Sequence, residues 1–135
     1  MTLTTEAALI DTTVLVALER GELSDLVAAI TRPSLSVVTL AELKAGVAAA
    51  QGTAAMLRRM RTLDVARELT IYDIDERVAD AWVVLRGHLA ETGSRIGAND
   101  LWIAATAVAH RLPLLSHDAD FRALDSARGL KLLRA

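Results

Sequence analysis

Residues 7–13 read Ala-Ala-Leu-Ile-Asp-Thr-Thr, a short apolar run that stops at an acid. The run is too brief for a helix, so we expect a buried strand over Ala7–Asp11. A similar order recurs twice: Leu-Ser-Val-Val-Thr-Leu-Ala precedes Glu42, and Leu-Pro-Leu-Leu-Ser-His precedes Asp118. Asp100 opens the apolar stretch Leu-Trp-Ile-Ala-Ala-Thr-Ala. Four acids therefore lie at the ends of apolar segments or at their start.

Apolar periodicity between these runs predicts helices that alternate with the strands. The expected strands are 7–11, 35–39, 69–74, 112–116 and 130–133. The expected helices are 13–19, 22–30, 40–50, 54–62, 76–92 and 100–110, with a helical turn at 121–124. Because strands that alternate with helices pair mainly in parallel, we predict an α/β fold of three α/β/α layers. The central sheet is short, helix exceeds strand, and residues 1–135 form one domain.

Composition restricts the class of protein. Hydrophobic residues make up 53% of the 135-residue chain and aromatic residues only 3%, so the core must consist of Leu, Val, Ile and Ala. A small domain this apolar predicts a homodimer or a tightly held partner. The absence of cysteine excludes a disulfide framework and a Cys-type zinc site. Without a signal-peptide pattern or a long apolar run, we expect a soluble, cytoplasmic protein.

The formal net charge is −2, from 15 bases and 17 acids, which is not typical of a strongly basic nucleic-acid binder. If the four acids above hold metal, 13 acids remain against 15 bases. The charge therefore neither supports nor excludes RNA as a substrate, but it argues against tight, sequence-indifferent binding to a phosphate backbone.

Each of the four acids also has a purely structural interpretation. Asp11 fits the N-cap of the following helix, and Asp118 fits an Asx-turn. Thr39-Leu-Ala-Glu42 has the spacing of a capping box. Asp100 fits the first turn of a helix capped by Asn99.

The case for a shared site depends on all four acids together. In an open α/β sheet, loops at the carboxyl ends of the strands converge on one ligand site. Carboxylates crowded there repel one another unless a cation lies between them, and hard oxygen ligands favour Mg²⁺ or Mn²⁺. The sequence therefore predicts metal-dependent phosphodiester chemistry at Asp11, Glu42, Asp100 and Asp118, with Asp120 as the reserve candidate.

Other residues give weaker signals. His88, His110 and His117 lack metal-ligand spacing, and Trp82 and Trp102 fit a core or an interface. The cluster Arg58, Arg59 and Arg61 fits a solvated helix face better than a phosphate-binding one. The GxGxxG, P-loop, HExxH and GxSxG motifs are absent.

The chain resembles the PIN-domain ribonucleases, specifically the VapC-type toxins of prokaryotic toxin–antitoxin pairs. The matching stretches lie in the family's order and cover nearly the whole chain. They are Leu-Ile-Asp11-Thr-Thr-Val-Leu, Ser-Val-Val-Thr-Leu-Ala-Glu42-Leu-Lys-Ala-Gly46, Gly93-Ser-Arg-Ile-Gly-Ala-Asn-Asp100-Leu-Trp-Ile-Ala-Ala-Thr-Ala and Leu-Leu-Ser-His-Asp118-Ala-Asp-Phe121.

The resemblance implies a PIN-like fold in which Asp11, Glu42 and Asp100 are the core metal-binding acids and Asp118 is the more variable fourth. Ser116 stands where the family often has Thr, and Arg95 and Asn99 flank the third acid. The implied activity is Mg²⁺- or Mn²⁺-dependent hydrolysis of RNA that leaves a 5′-phosphate. The implied partners are a second copy of the chain and a VapB-type antitoxin, which the helix faces Ala45–Ala50 and Ala54–Met60 could dock.

Two alternatives remain open at this point. A haloacid-dehalogenase-like phosphatase would use Asp11 as nucleophile and Thr39 on the phosphate, but it requires an Asp where this chain has Thr13. A non-catalytic binding module would use the acids only as helix caps, and Mg²⁺ would then neither bind nor stabilise the protein.

Overall fold

The computed structural model describes residues 6–22 and 28–134. Five strands and five α-helices are found in this part of the chain, together with one 3₁₀ helix at Ala119–Leu124. The strands are β1 (Ala7–Ile10), β2 (Arg32–Ser36), β3 (Thr70–Tyr72), β4 (Leu114–Ser116) and β5 (Leu132–Arg134). The helices are α1 (Thr12–Glu19), α2 (Val37–Ala48), α3 (Thr53–Arg67), α4 (Glu76–Thr92) and α5 (Ala98–Ala109).

The five strands form one sheet in the order β3-β2-β1-β4-β5, and every pair is parallel. The strand β1 lies at the centre, between β2 and β4, which places its carboxyl end beside theirs. The predicted parallel sheet is confirmed, and so is the excess of helix over strand.

Alternating side chains of the central strands supply two separate cores, one on each face of the sheet. Leu9 and Leu114 belong to the core formed with α4 and α5, whereas Ile10 and Leu115 belong to the core formed with α1, α2 and α3. The layers are therefore helix, sheet and helix, as predicted. All four side chains are at most 3% exposed, and aliphatic residues fill most of both cores, with Phe121 fully buried in the first.

Several predicted boundaries are wrong. The second strand ends at Ser36 rather than Thr39, because the chain turns directly into α2 there. The side chain of Ser36 caps this helix by accepting a hydrogen bond from the Val38 amide at 3.1 Å. Thr39 is therefore the third residue inside the helix, fully buried, and the predicted capping box does not form.

The other differences are smaller. The basic helix predicted over 54–62 continues to Arg67, because Thr62, Leu63 and Ala66 are buried against the core. The strands predicted at 69–74, 112–116 and 130–133 are shorter or shifted by one or two residues. The helix predicted over 22–30 falls mostly on residues 23–27, which lie outside the described residues. The assignment of residues 1–135 to one domain stays a prediction.

None of the helices within residues 6–22 and 28–134 is long and apolar enough to cross a membrane.

Candidate metal centre

Asp11 lies directly after β1 and is only 2% exposed. Its Oδ1 accepts a hydrogen bond from the Val14 amide at 3.2 Å, so the predicted N-cap of α1 is confirmed. Two hydroxyls also donate to the same carboxylate: Thr13 to Oδ1 at 2.6 Å and Ser116 to Oδ2 at 2.5 Å. Burial raises the pKa of Asp11, and these hydrogen bonds oppose the rise by stabilising the ionised form.

Ser116 links the first acid to the fourth. It is the last residue of β4, the neighbour of β1, and its Oγ accepts a hydrogen bond from the Asp118 amide at 2.8 Å while it donates to Asp11. Thr13 Oγ1 accepts a hydrogen bond from the His117 amide at 3.1 Å. The loop that carries Asp118 is thereby held against the end of β1.

Glu42 is the sixth residue of α2 and is half-buried. Its Oε1 accepts a hydrogen bond from Thr12 Oγ1 at 2.7 Å, at the start of α1. Since Ser36 caps α2, the capping interpretation of Glu42 is wrong, and its side chain instead points to the segment that follows Asp11.

Asp100 lies in the first turn of α5, as predicted. The N-cap of this helix is Gly97, so the prediction of Asn99 as the cap is wrong. Burial of Asp100 and, in decreasing order, the negative charges of Asp118, Glu42, Asp11 and Asp120 together raise its pKa from 3.8 to about 6. The charge of each of the other four acids therefore contributes to the raised pKa of Asp100.

Asp118 forms the predicted Asx-turn, since its Oδ1 accepts a hydrogen bond from the Asp120 amide at 2.9 Å. This turn points Asp120 toward the site. Carboxylate oxygens of Asp100, Asp118 and Asp120 all lie within 4.8 Å of one another. Asp120, the reserve candidate, thus belongs to this triad, whereas Asp11 and Glu42 lie outside it.

Within the described part of the chain, no ion pair balances the charge of these five acids. Among residues 6–22 and 28–134, the ion pairs are Glu6–Arg32, Asp64–Arg67 and Asp75–Arg77, and none involves the site. Carboxylates without a basic partner repel one another, and this donor set fits a hard divalent cation. The five acids are therefore a candidate metal centre.

Sequence reasoning missed the supporting hydroxyls. Thr12 and Thr13 follow Asp11 directly and donate to two different acids, Glu42 and Asp11. The Asp-Thr-Thr triplet was the available signal, because the first two residues of a helix point in different directions and their hydroxyls can reach different acids. The one group of three or more potential metal ligands found within the described part of the chain consists of aspartates and contains no histidine.

The sequence matches a known family over most of its length. Residues 8–127 match the PIN domain family. The chain is 41% identical to Ribonuclease VapC5 of Mycobacterium tuberculosis over 134 residues, which are 99% of each chain. It is 40% identical to Ribonuclease VapC4 of the same organism over 117 residues, which cover 87% of this chain and 90% of that one.

The fold agrees as well. The crystal structure of VapBC-5, a member of the VapBC family of toxin–antitoxin systems from Mycobacterium tuberculosis, matches with a TM-score of 0.86 at 38% sequence identity. The match covers 97% of this chain and 100% of that one. These likenesses give no support to the haloacid-dehalogenase-like alternative. The chain belongs to the PIN domain family, in its VapC branch.

Proposed function

We propose that this protein is a metal-dependent endoribonuclease that acts as the toxin of a toxin–antitoxin pair and hydrolyses phosphodiester bonds of RNA. The observation that carries the proposal is the group of carboxylates at Asp100, Asp118 and Asp120, which lie within 4.8 Å of one another and in no ion pair among the residues that the structure describes. They lie in a chain that is 41% identical to a named ribonuclease.

The residues proposed to hold Mg²⁺, or Mn²⁺ as a substitute, are Asp11, Glu42, Asp100 and Asp118, and Asp120 is a further candidate. When bound, such an ion supplies a water of lowered pKa and positive charge beside the phosphate. Because the ion lowers this pKa, no histidine base is needed.

The protein's own contribution is to keep the acids ionised and oriented. Thr13 and Ser116 donate to Asp11, which favours its charged form against the cost of burial. Thr12, the first residue of α1, orients Glu42 by donating a hydrogen bond to its carboxylate. Ser116 also fixes the backbone of Asp118, so that one hydroxyl positions two of the proposed ligands.

A VapB-type antitoxin is the proposed partner, in line with the toxin–antitoxin structure that this chain resembles. An antitoxin that lays a basic side chain over the acids would supply the positive charge that they lack. Apolar side chains of α3 are available for docking: Met56, Leu57 and Met60 are 39%, 49% and 43% exposed. A homodimer could use the same faces, and the proposed location is the cytoplasm.

The test is cleavage of total cellular RNA by the purified, antitoxin-free protein with Mg²⁺ or Mn²⁺. We expect discrete fragments that disappear with EDTA and with Asp100→Asn. The matched control is Asp125→Asn, an exposed acid outside the site, which should cleave as well as the unchanged protein.

No cleavage by folded protein that binds Mg²⁺ would contradict the proposal, and so would cleavage that survives both EDTA and Asp100→Asn. Folded protein that does not bind Mg²⁺ would favour the non-catalytic binding module.

A further inference from the structure

A cavity of about 460 Å³ lies between α4 and the start of α5. Two tryptophans line it, Trp82 and Trp102, with ring centroids 5.3 Å apart and planes 23° from parallel. Both rings are half-buried against the core, so each keeps part of its surface in the cavity. The two rings therefore form a rigid aromatic wall.

In contrast to the aromatic wall, the rim of the cavity carries positive charge. Arg86 and Arg95 line the same cavity and are exposed, and Ser94 adds a hydroxyl. Neither arginine belongs to an ion pair among the residues that the structure describes. The guanidinium groups are therefore available to an anionic group, and their planar fork suits phosphate oxygens.

The cavity adjoins the surface beside Asp100. Ala98 lines both this cavity and the surface formed by Glu42, Gly97, Asn99 and Asp100. Trp102 lies only roughly 3 Å further along the helix axis than Asp100, but on a different side of the helix. A strand with one phosphate at the acids would therefore reach the cavity by crossing the start of α5 at Ala98.

We propose that this cavity binds a nucleotide of the single-stranded RNA substrate, beside the bond that is cleaved. A base stacks on the surface of Trp82 and Trp102, and Arg86 and Arg95 bind the adjoining phosphates. Aromatic walls with nearby cations are the usual way to bind single strands, because every base offers a π-face. That the ligand is RNA rests on the proposed function. The inference adds that the RNA is single-stranded where it enters the cavity.

The two tryptophans are the only ones in the chain, so tryptophan emission, excited at a wavelength that Tyr72 does not absorb, reports on this cavity alone. The probe is a set of short oligoribonucleotides of A, U or C, added to the whole protein in EDTA so that metal-dependent cleavage does not interfere. We expect saturable quenching. The variant Trp82→Phe, which keeps an aromatic surface, should retain the quenching of Trp102, and Trp82→Leu should weaken binding roughly fivefold.

The double variant Arg86→Gln/Arg95→Gln changes only exposed side chains and should keep the fold. It should weaken binding roughly tenfold and reduce the slope of log K against log salt by about 1.4, because two phosphate contacts are lost. The control Arg128→Gln/Lys131→Gln removes the same charge from exposed residues just before β5 that do not line the cavity. It should change binding less than about twofold, because exposed charges outside the binding site are screened by salt.

Absence of quenching, or equal effects of the two double variants, would overturn the proposal. It would also be overturned if tryptophan emission changed with protein concentration alone and sedimentation showed a dimer disrupted by Arg86→Gln/Arg95→Gln, because the cavity would then be an interface between two copies. Quenching without any cleavage in Mg²⁺ would leave the subsite standing and reject the ribonuclease. Cleavage without quenching would support the ribonuclease and reject the nucleotide-binding cavity.

Discussion

Asp11 illustrates how a single residue serves both the fold and the site. It caps α1 through the Val14 amide, as many aspartates do, but it is almost fully buried and receives two hydroxyl donors as well. A cap alone requires neither. The extra donors offset the cost of burying a charge, and they keep the carboxylate ready to bind a cation.

Replacing Ser116 by Ala should affect both stability and metal affinity. The change removes a hydrogen bond to the buried carboxylate of Asp11, worth about 1.5–3 kcal/mol, and raises the pKa of that group further. Urea unfolding should show the loss of stability, and calorimetric titration should show weaker Mg²⁺ binding.

The control for this variant is Ser34→Ala. Ser34 is also a buried strand serine, but it donates to the backbone oxygen of Ala8. It should cost about 1 kcal/mol and leave Mg²⁺ affinity unchanged. Equal Mg²⁺ affinities for the two variants would show that Ser116 has no part in holding the acids.

Replacing Asp100 by Asn should stabilise the metal-free protein. The carboxylate is half-buried and repelled by four other acids, so its removal at neutral pH relieves unfavourable charge. We expect a gain of about 1 kcal/mol, or roughly 3–5 °C in Tm, measured by thermal unfolding in EDTA. Asp125→Asn should stay within about 0.5 kcal/mol of the unchanged protein. A lower Tm for Asp100→Asn would mean that the carboxylate has a stabilising role.

Among the elements, the junction of β2 and α2 decides where Glu42 points. The strand ends and the helix begins without a loop, because the Ser36 side chain caps the first turn at once. A start three residues later, as the capping-box pattern predicts, would rotate Glu42 by most of a helical turn. The hydrogen bond from Thr12 to Glu42 depends on the observed start.

Gly87 inside α4 and Gly93 at its C-terminal cap should change the free energy of unfolding in opposite directions when each is replaced by Ala. Gly93 ends the helix with φ of 68°, a left-handed conformation that disfavours a side chain, so Gly93→Ala should cost about 1 kcal/mol. Gly87 lies inside the same helix, and a methyl group there meets no atom within 4 Å. Gly87→Ala should therefore stabilise by about 0.5–1 kcal/mol.

Urea unfolding of the two single variants measures both effects, and each variant serves as the other's control because both add one methyl group to one helix. A stabilising Gly93→Ala would contradict the left-handed cap.

Across the whole molecule, the sheet order brings distant acids together. Asp11 follows the central strand, Asp118 follows the neighbouring strand β4, and α2 and α5 carry Glu42 and Asp100 to the same edge. The result is a region of negative charge on a chain whose formal charge is only −2. A bound cation should therefore control both stability and activity.

Mg²⁺ should stabilise the protein more at about pH 7.5 than at about pH 5, on either side of the raised pKa of Asp100, about 6. An acid whose pKa is raised on folding favours the fold while it is protonated, so in EDTA its contribution is lost as pH rises from about 4 through 6. Mg²⁺ displaces the proton and binds the ionised form, so its effect grows over the same range.

The measurement is the Tm difference with and without excess Mg²⁺ at several pH values. Mg²⁺ at about 100 times its Kd should add about 2.7 kcal/mol at the higher pH. Asp100→Asn should show a smaller, flatter effect. An Mg²⁺ effect that is independent of pH in the unchanged protein would contradict a carboxylate centre with a raised pKa.

The sequence by itself determined the α/β class and the parallel sheet, and it predicted the four acids as a shared site, because local signals carry that information. The short apolar run Ala7–Ile10, which stops at Asp-Thr-Thr, favours a buried strand because of its length, and strands that alternate with helices pair mainly in parallel. Asp75 and Gly93 mark the ends of α4 through capping chemistry that depends only on neighbouring residues. The family resemblance of these stretches follows from the same local patterns.

Only the tertiary structure decided how the acids combine. The start of α2 depends on which of two hydroxyls, Ser36 or Thr39, caps the helix, and Thr39 is instead buried inside it. Asp120 joined the triad with Asp100 and Asp118 because an Asx-turn directs it there, and Ser116 reached Asp11 because β4 pairs with β1 across more than 100 residues of sequence. Contacts between residues so far apart in the chain depend on strand pairing and packing, and no local pattern encodes the distance between two side chains.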